Sequence, residues 1–472
     1  MSFVRSSKGT RVSRRFRDRW DTGARGCLVL LACIGAGLVL GVIGPLAAPP
    51  ATSFAGPNNY PTGHVPNSVA FGELNGDGKL DLVIANAGPG EANPSGKTVS
   101  VLLNRGDGRF GVRRDYRSGL SPTSVAIGDL NGDGKMDLAT ANEDGNSVSV
   151  LLNAGDGSFQ TRRDFGTGGR PYSVAIGDVN EDGKLDLASA NAAFGEHTIS
   201  VLLNRVDGNF EPKRDYPVRY GPEWVTIGDL NGDGKPDLAF AGSGVSVLLN
   251  SGSGSFEAEA HYPTPRGSAS VAIGDLNGDG KADLATANVA TDTTSVLLNR
   301  GDGSFGVRRD YRAGDSPFSV AIGDVNGDGT SDLVTANDDG RSVSVLANTG
   351  SGSFQPKRDY RTGPIDAGPV SVALGDVNGD HRPDAATANQ RVDSVSVLIN
   401  TPGLCDVQNV LRLTLVGAKR VLASTNCSVG RVSTSYSKRA KKGHVISQKP
   451  SFGAVLPNGG KVNLVISRGR KR

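Results

Sequence analysis

Histidine, cysteine and tryptophan are all scarce in this chain of 472 residues: five His, four Cys and two Trp. The histidines (His64, His197, His261, His381 and His444) are scattered, so no HExxH pair forms, and no GxSxG elbow or ordered Ser/His/Asp set appears. No cysteine stands at zinc-site spacing. Cys27 and Cys33 sit in an apolar run near the start, and Cys405 and Cys427 in a basic tail. A Cys405–Cys427 disulfide fits an oxidising compartment; two free buried thiols are the alternative. Aromatics make up only 6% of the chain, whereas glycine counts 66. Such a balance suits either disorder or many tight turns.

Acidic residues are missing where basic ones gather. Residues 1–50 carry 8 Lys+Arg and 2 acids, and residues 404–472 carry 14 Lys+Arg and 1 acid, a net charge of +13 for the tail. The middle is left at −16. A split of this size points to different partners for the two parts. The basic start, from Arg5 to Arg25, is followed by the uncharged run Cys27–Gly44 and then by Pro45. This reads as a signal peptide or an uncleaved signal-anchor helix, with everything after residue 50 outside. Arg14-Arg15 resembles a twin-arginine signal and Leu-Leu-Ala before Cys33 resembles a lipobox, but the flanking residues suit neither well.

A repeat settles the meaning of the glycines. Its clearest copy is SVAIGDLNGDGKMDLATAN, a short loop, SVSVLLN, then AGDGSF and a segment ending RRDF. Seven copies follow one another at about 50 residues each, a period of propellers, solenoids or arrays. Each copy reads as four short strands joined by Gly, Asn and Asp turns, which is one propeller blade. The seventh copy stops at Ile399-Asn400 without its fourth strand. Phe54 and Tyr60 have the same spacing as Phe110/Tyr116 and its counterparts. Residues near Phe54–Tyr60 are therefore expected to complete the last blade and close the ring.

The loop after each first strand has the pattern DxNxDGxxD. Its members are Glu73, Asn75, Asp77 and Asp81; Asp129, Asn131, Asp133 and Asp137; Asp178, Asn180, Asp182 and Asp186; Asp229, Asn231, Asp233 and Asp237. The remaining three are Asp275, Asn277, Asp279 and Asp283; Asp324, Asn326, Asp328 and Asp332; and Asp376, Asn378, Asp380 and Asp384. Oxygens at positions 1, 3, 5 and 9 suit calcium, a hard ion that takes six to eight of them. An EF-hand is excluded, because position 12 of the second copy is Thr140, inside a strand. Up to seven calcium ions are expected. The Glu73 loop and the loop with His381 in place of glycine are expected to bind most weakly.

These repeats resemble the FG-GAP/VCBS family, whose propeller is shared with integrin α-subunit heads. The resemblance covers about residues 53–400 and implies a seven-bladed β-propeller with calcium in the loops between strands one and two. Members of the family serve in adhesion and glycan binding, and some are appended to enzymes. The tail, residues 404–472, resembles a PASTA domain, which implies a small α+β fold and affinity for peptidoglycan fragments. Gln408, Arg412 and Asn426 stand where that family often has Pro, Gly and Gly. Leu415, Ala418, Lys419 and Leu422 have helical spacing, and the VISQ and KVNLVIS segments read as strands.

Arg105-Gly106-Asp107 and Arg300-Gly301-Asp302 spell RGD but fill an ordinary turn slot of the repeat. The Arg-Arg-Asp-Tyr segment reads as a charged edge strand that resists aggregation, with a ligand surface as the alternative. Trp224 is either a binding aromatic or a packing residue. The expectation is a non-enzymatic protein that is extracellular or at the cell surface. Its propeller would hold a glycan or protein ligand, and its tail peptidoglycan or anionic wall polymer. No nucleic acid is expected as a partner, and membrane contact would come through the N-terminal segment. The alternatives are an extracellular enzyme acting on polysaccharide or phosphodiester, and a purely structural wall spacer.

Overall fold

The computed structural model describes residues 52–88, 97–265, 267–402, 405–423, 427–456 and 460–470. The basic start and the run Cys27–Gly44 lie outside these residues. Among the described residues no helix is long and apolar enough to cross a membrane.

The repeats form seven antiparallel four-stranded sheets. Sheet two is typical: Pro122–Gly128, Asp137–Asn142, Ser147–Leu151 and Arg163–Gly166, in that order from inside to outside. Burial explains the composition of each strand. The second strand is buried at all six positions, which suits the continuous small-apolar run DLATAN. The outer strand is exposed at three of its four positions, so charge is tolerated there. The first strands touch one another around a ring, and Pro66–Gly72 meets both Pro122–Gly128 and Pro369–Gly375. This is the arrangement of propeller blades.

Apolar side chains pack between neighbouring sheets. Leu138 and Val148 are fully buried, and replacing such a leucine by alanine costs about 2–5 kcal/mol. Seven edge-to-face aromatic pairs, with ring centroids 5.1–5.6 Å apart, join each sheet to the next. They are the Phe and Tyr of the repeat, and each pair adds about 0.5–1.5 kcal/mol beyond its burial.

The last sheet takes its outer strand from the N-terminal side. Asn58–Pro61 pairs with Ser394–Leu398, and Thr52–Phe54 pairs with Asn400–Pro402. Phe54 packs on Tyr360, and Tyr60 packs on Phe110. The segment thus binds sheet seven to both neighbours, as the shared half-repeat suggests.

In the tail, the helix Leu415–Ala423 accompanies a three-stranded sheet of Cys427–Ser435, Gly460–Ser467 and Val445–Lys449. The Thr414 hydroxyl accepts the Gly417 amide and caps the helix. Ala418 and Leu422 are buried with Val407, Val445, Val462 and Leu464. Lys419, read as part of the helical stripe, is exposed. The strand Cys427–Ser435 escaped sequence reading because most of it is exposed and shows no alternation. Cys427 is disulfide-bonded; the side chain of Cys405 and all of Asn426 lie outside the described residues.

Candidate metal loops and ligand faces

Each inner strand runs from one face of the ring to the other. At its far end sits the nine-residue acidic loop. In the second loop the Asp129 carboxylate accepts the amides of Gly132, Asp133 and Gly134, and Asn131 Oδ1 accepts that of Asp133. The loop is wrapped around the carboxylate at position 1. In six loops the amide at position 6 donates to the second oxygen of that Asp. Glu73 differs: it takes three amides on Oε1 alone. Its longer side chain shifts the second oxygen, as its sequence departure suggests. His381 keeps the amide bond to Asp376 and holds φ at +63°, a conformation that glycine adopts without strain. Glu181, at position 4, also holds a positive φ, +62°.

Position 5 carries its own counter-ion in five loops. Lys79, Lys135, Lys184, Lys235 and Lys281 lie 2.7–3.5 Å from Asp77, Asp133, Asp182, Asp233 and Asp279. The lysine hydrogen bond holds Asp77, Asp182 and Asp233 below the usual carboxylate range. Loop six has Thr330 at that place, and its hydroxyl donates to Asp328 at 2.5 Å.

Position 9 is buried in all seven loops. Asp137 Oδ2 accepts the Leu130 amide at 3.0 Å and Oδ1 accepts the Asn153 amide at 2.7 Å. Burial, followed by repulsion from the acids at positions 5 and 1, pushes Asp81, Asp137, Asp186 and Asp384 up to about 6, and Asp332 up to about 7. Asp237 and Asp283 are raised for the same reasons. Among the described residues no group of three or more Asp, Glu, His or Cys is gathered to hold a metal ion. The reason is visible: position 3 is an amide, position 5 leans on lysine in five loops, and position 9 is tied to backbone amides. The donor set still fits a hard cation. It offers only oxygens, and the carboxylates at positions 1 and 5 push up the pKa of the one at position 9, a repulsion that an intervening positive charge would relieve.

A residue that sequence reasoning passed over joins the loops. The Asn closing each third strand, such as Asn153, donates from Nδ2 to Met136 O in its own loop and to Leu74 O in the preceding one, both at 2.9 Å. All seven blades repeat this clip, and Asn104 closes the circle on Val377 O. The only signal was an Asn kept in every copy, which reads equally well as a turn residue.

The opposite face, where the inner strands begin, shows a second circle. The third residue of six inner strands is serine, whose Oγ accepts the valine amide of the next blade at 3.2–3.5 Å. Blade four has Trp224 in that place, and its link to Val271 is missing. Blade four departs elsewhere too. Gly242 replaces the buried Asn of the second strand, and a Cβ there would lie 2.3 Å from Gly221 O. Glu259 and His261 replace the Arg and Asp of the outer strand, and Ser246 Oγ is shared between them at 2.6 and 3.0 Å. His261 stacks on Tyr220, with centroids 5.0 Å apart.

Glu223, next to Trp224, has no side-chain hydrogen bond or ion pair among the described residues. Its side chain meets solvent, yet the surrounding protein pushes its pKa up. Tyr172, at the matching position of blade three, is raised by burial and also by Glu143 and Glu223. Arg170 donates to the Tyr172 hydroxyl at 2.9 Å and pairs with Glu143. The RGD triplets sit in hairpin turns: Gly106 donates to Asn104 Oδ1, and Asp302 accepts from Ser304.

The tail has a basic cleft of about 700 Å³ lined by Arg412, Arg439, Lys441 and His444, with Leu411 and Val445 at its apolar side. Arg412, which stands where glycine is common, holds φ +66°. Among the described residues no acid lines the cleft.

Comparison with known proteins places these features. The FG-GAP-like repeat family model matches residues 73–140, 129–189, 180–240, 229–286 and 324–387, and the PASTA domain model matches residues 406–468. Among solved structures, BBS1N in complex with ARL6DN is similar over 73% of this chain and 96% of its own, with a TM-score of 0.51 and 12% identity. A catalytically inactive virginiamycin B lyase from Staphylococcus aureus covers 74% of this chain and 98% of its own, with a TM-score of 0.49 and 15% identity. An Agrocybe aegerita lectin that recognises non-reducing terminal N-acetylglucosamine covers 63% and 80%, with a TM-score of 0.42 and 24% identity. These likenesses concern the fold alone. No curated protein matches the sequence.

Proposed function

The chain belongs to the FG-GAP-like repeat family and carries a PASTA domain behind its repeats, and from this premise we propose that it is a calcium-stabilised binding protein of the cell surface or wall. The two domains fit a surface or wall-associated protein. The propeller serves as the ligand platform and the tail as the attachment to anionic wall material. The observation that carries the reading is the tail cleft, which gathers two Arg, a Lys and a His and has no acid. Carboxylates or phosphates of a wall polymer are the complementary chemistry. In the propeller, calcium would be held by the oxygens at positions 1, 3 and 5 and by the position 7 carbonyl, with position 9 behind them. Bound, it would neutralise carboxylates that otherwise repel.

The test is a pull-down on purified wall sacculi with the segments 51–403 and 404–472 kept separate. The tail is expected to be retained and the acidic body to pass through. Retention that collapses at high salt, where screening reaches about 3 Å at 1 M, indicates charge alone. Retention that survives indicates recognition of a muropeptide in the cleft. Equal retention of both segments defeats the reading.

A further inference from the structure

At the face where the inner strands begin, six blades keep the repeat's serine and one does not. That face lies roughly 20 Å from the acidic loops, the length of a seven-residue strand. On it, blade four has exchanged its serine for Trp224, its buried Asn for Gly242 and its outer Asp for His261. The serine link to Val271 is lost and a small residue replaces a bonded one, while the half-buried Trp224 packs against the core cluster that includes Val245 and Val271. A chemical change accompanies these exchanges. Seven residues occupy the second place of the inner strands, namely Asn67, Thr123, Tyr172, Glu223, Ala269, Phe318 and Val370, and Glu223 alone is charged.

We propose that this sector is a receptor site for a basic peptide segment, with a lysine or arginine head on the Glu223 carboxylate and its apolar stem against Tyr172 and Trp224. Among the described residues Glu223 has no side-chain partner of its own: Arg170 is held by Glu143 and the Tyr172 hydroxyl, and Arg219 lies over the Tyr220 ring, 5.3 Å from its centroid. Aromatic faces beside a carboxylate attract a cation twice, through charge and through the ring quadrupole. Phe194, the fully exposed tip of the hairpin Asp186–Ala193 with Glu196–Leu202, stands on the same face. That hairpin leans toward the sector: Ala192 and His197 flank Gly221, two residues before Glu223. Phe194 offers an apolar contact for a residue neighbouring the basic one. The body's net charge of −16 would draw such a segment in.

The proposal rests on the reading of the propeller as a ligand platform, but its test does not involve the tail. Trp20→Phe in the full chain leaves Trp224 as the lone tryptophan, so its fluorescence reports on the sector. The probes are an acetylated lysine–glycine repeat peptide, its glutamate–glycine counterpart and chitotetraose. Only the basic peptide is expected to shift the emission and to give a calorimetric isotherm. Glu223→Gln is expected to weaken it roughly tenfold or more, the worth of one charged hydrogen bond. Trp224→Ser restores the serine of the other blades, so it is expected to melt no lower than the parent and yet to lose the peptide. Unchanged affinity in Glu223→Gln, preference for the acidic peptide or the glycan, or no binding by any probe overturns the proposal. Retention on sacculi is measured apart, so failure here leaves the wall reading intact.

Discussion

Removing residues 1–62 should open the ring, whereas removing residues 1–50 should not. The segment between the two cuts holds both pieces of the closing strand. Phe54 is 7% exposed, and losing a buried phenylalanine ring costs about 3–5 kcal/mol. Tyr60 adds a second edge-to-face contact, on Phe110. Beyond the ladders, Ala55 donates to Ile399 O, Thr62 donates to Asp393 O, and Ser396 donates to Asn59 Oδ1. Each such bond is worth about 1 kcal/mol net. Together these terms approach 10 kcal/mol, comparable with the roughly 5–15 kcal/mol that holds a typical domain folded. Urea titrations of the two truncated chains measure the difference. The shorter chain is also expected to aggregate at the bare edge of Ser394–Leu398, and to recover when a peptide of residues 51–62 is supplied. Equal midpoints would refute the closure, as would a fully stable natural form that begins at Gly56.

Calcium is expected to raise the melting temperature by many degrees over that in EDTA, since one site at a hundredfold excess over its Kd contributes about 2.7 kcal/mol; equal melts would argue against metal loops. Glu181→Gly and His381→Gly should each stabilise the chain by about 1 kcal/mol in urea titration, because both residues hold left-handed backbone that glycine adopts freely. Asn153→Ala should cost about 1–3 kcal/mol, since the buried carbonyl of Leu74 and the part-buried one of Met136 lose their donor; a cost near that of an exposed Asn would mean that water replaces the clip.

Repetition made the ring legible. A four-strand unit recurring with its Phe and Tyr six residues apart needs no structure to be read as a blade, and the truncated seventh copy discloses where the chain closes. The acidic loops were legible as a pattern, but not the direction of their side chains. Asp137 reads as a ligand from the pattern, and in the structure it is a buried anchor for the amides of Leu130 and Asn153. The partners of such a residue lie 7 and 16 positions away and carry no side-chain signature, because backbone amides are the same at every residue. Trp224 had the opposite difficulty. A single aromatic in one copy shows neither the missing serine link nor the unpartnered acid beside it until the seven blades are laid around one axis. Lys419 misled for a local reason: it shares the helical spacing of the buried stripe but lies at its border.

The pairing of Thr52 with Pro402 has a mechanical consequence. The chain enters and leaves the ring at the same point, along two antiparallel strands. Tension applied to the two ends therefore does not run through the blades. It falls first on the three-residue ladder Thr52–Phe54 with Asn400–Pro402, and peels it one pair at a time instead of shearing it at once. Only after that ladder has parted does the load reach Asn58–Pro61 and its aromatic ring on Phe110. Six of the seven blades stay slack throughout, so the faces of the ring remain undistorted while the two ends are pulled.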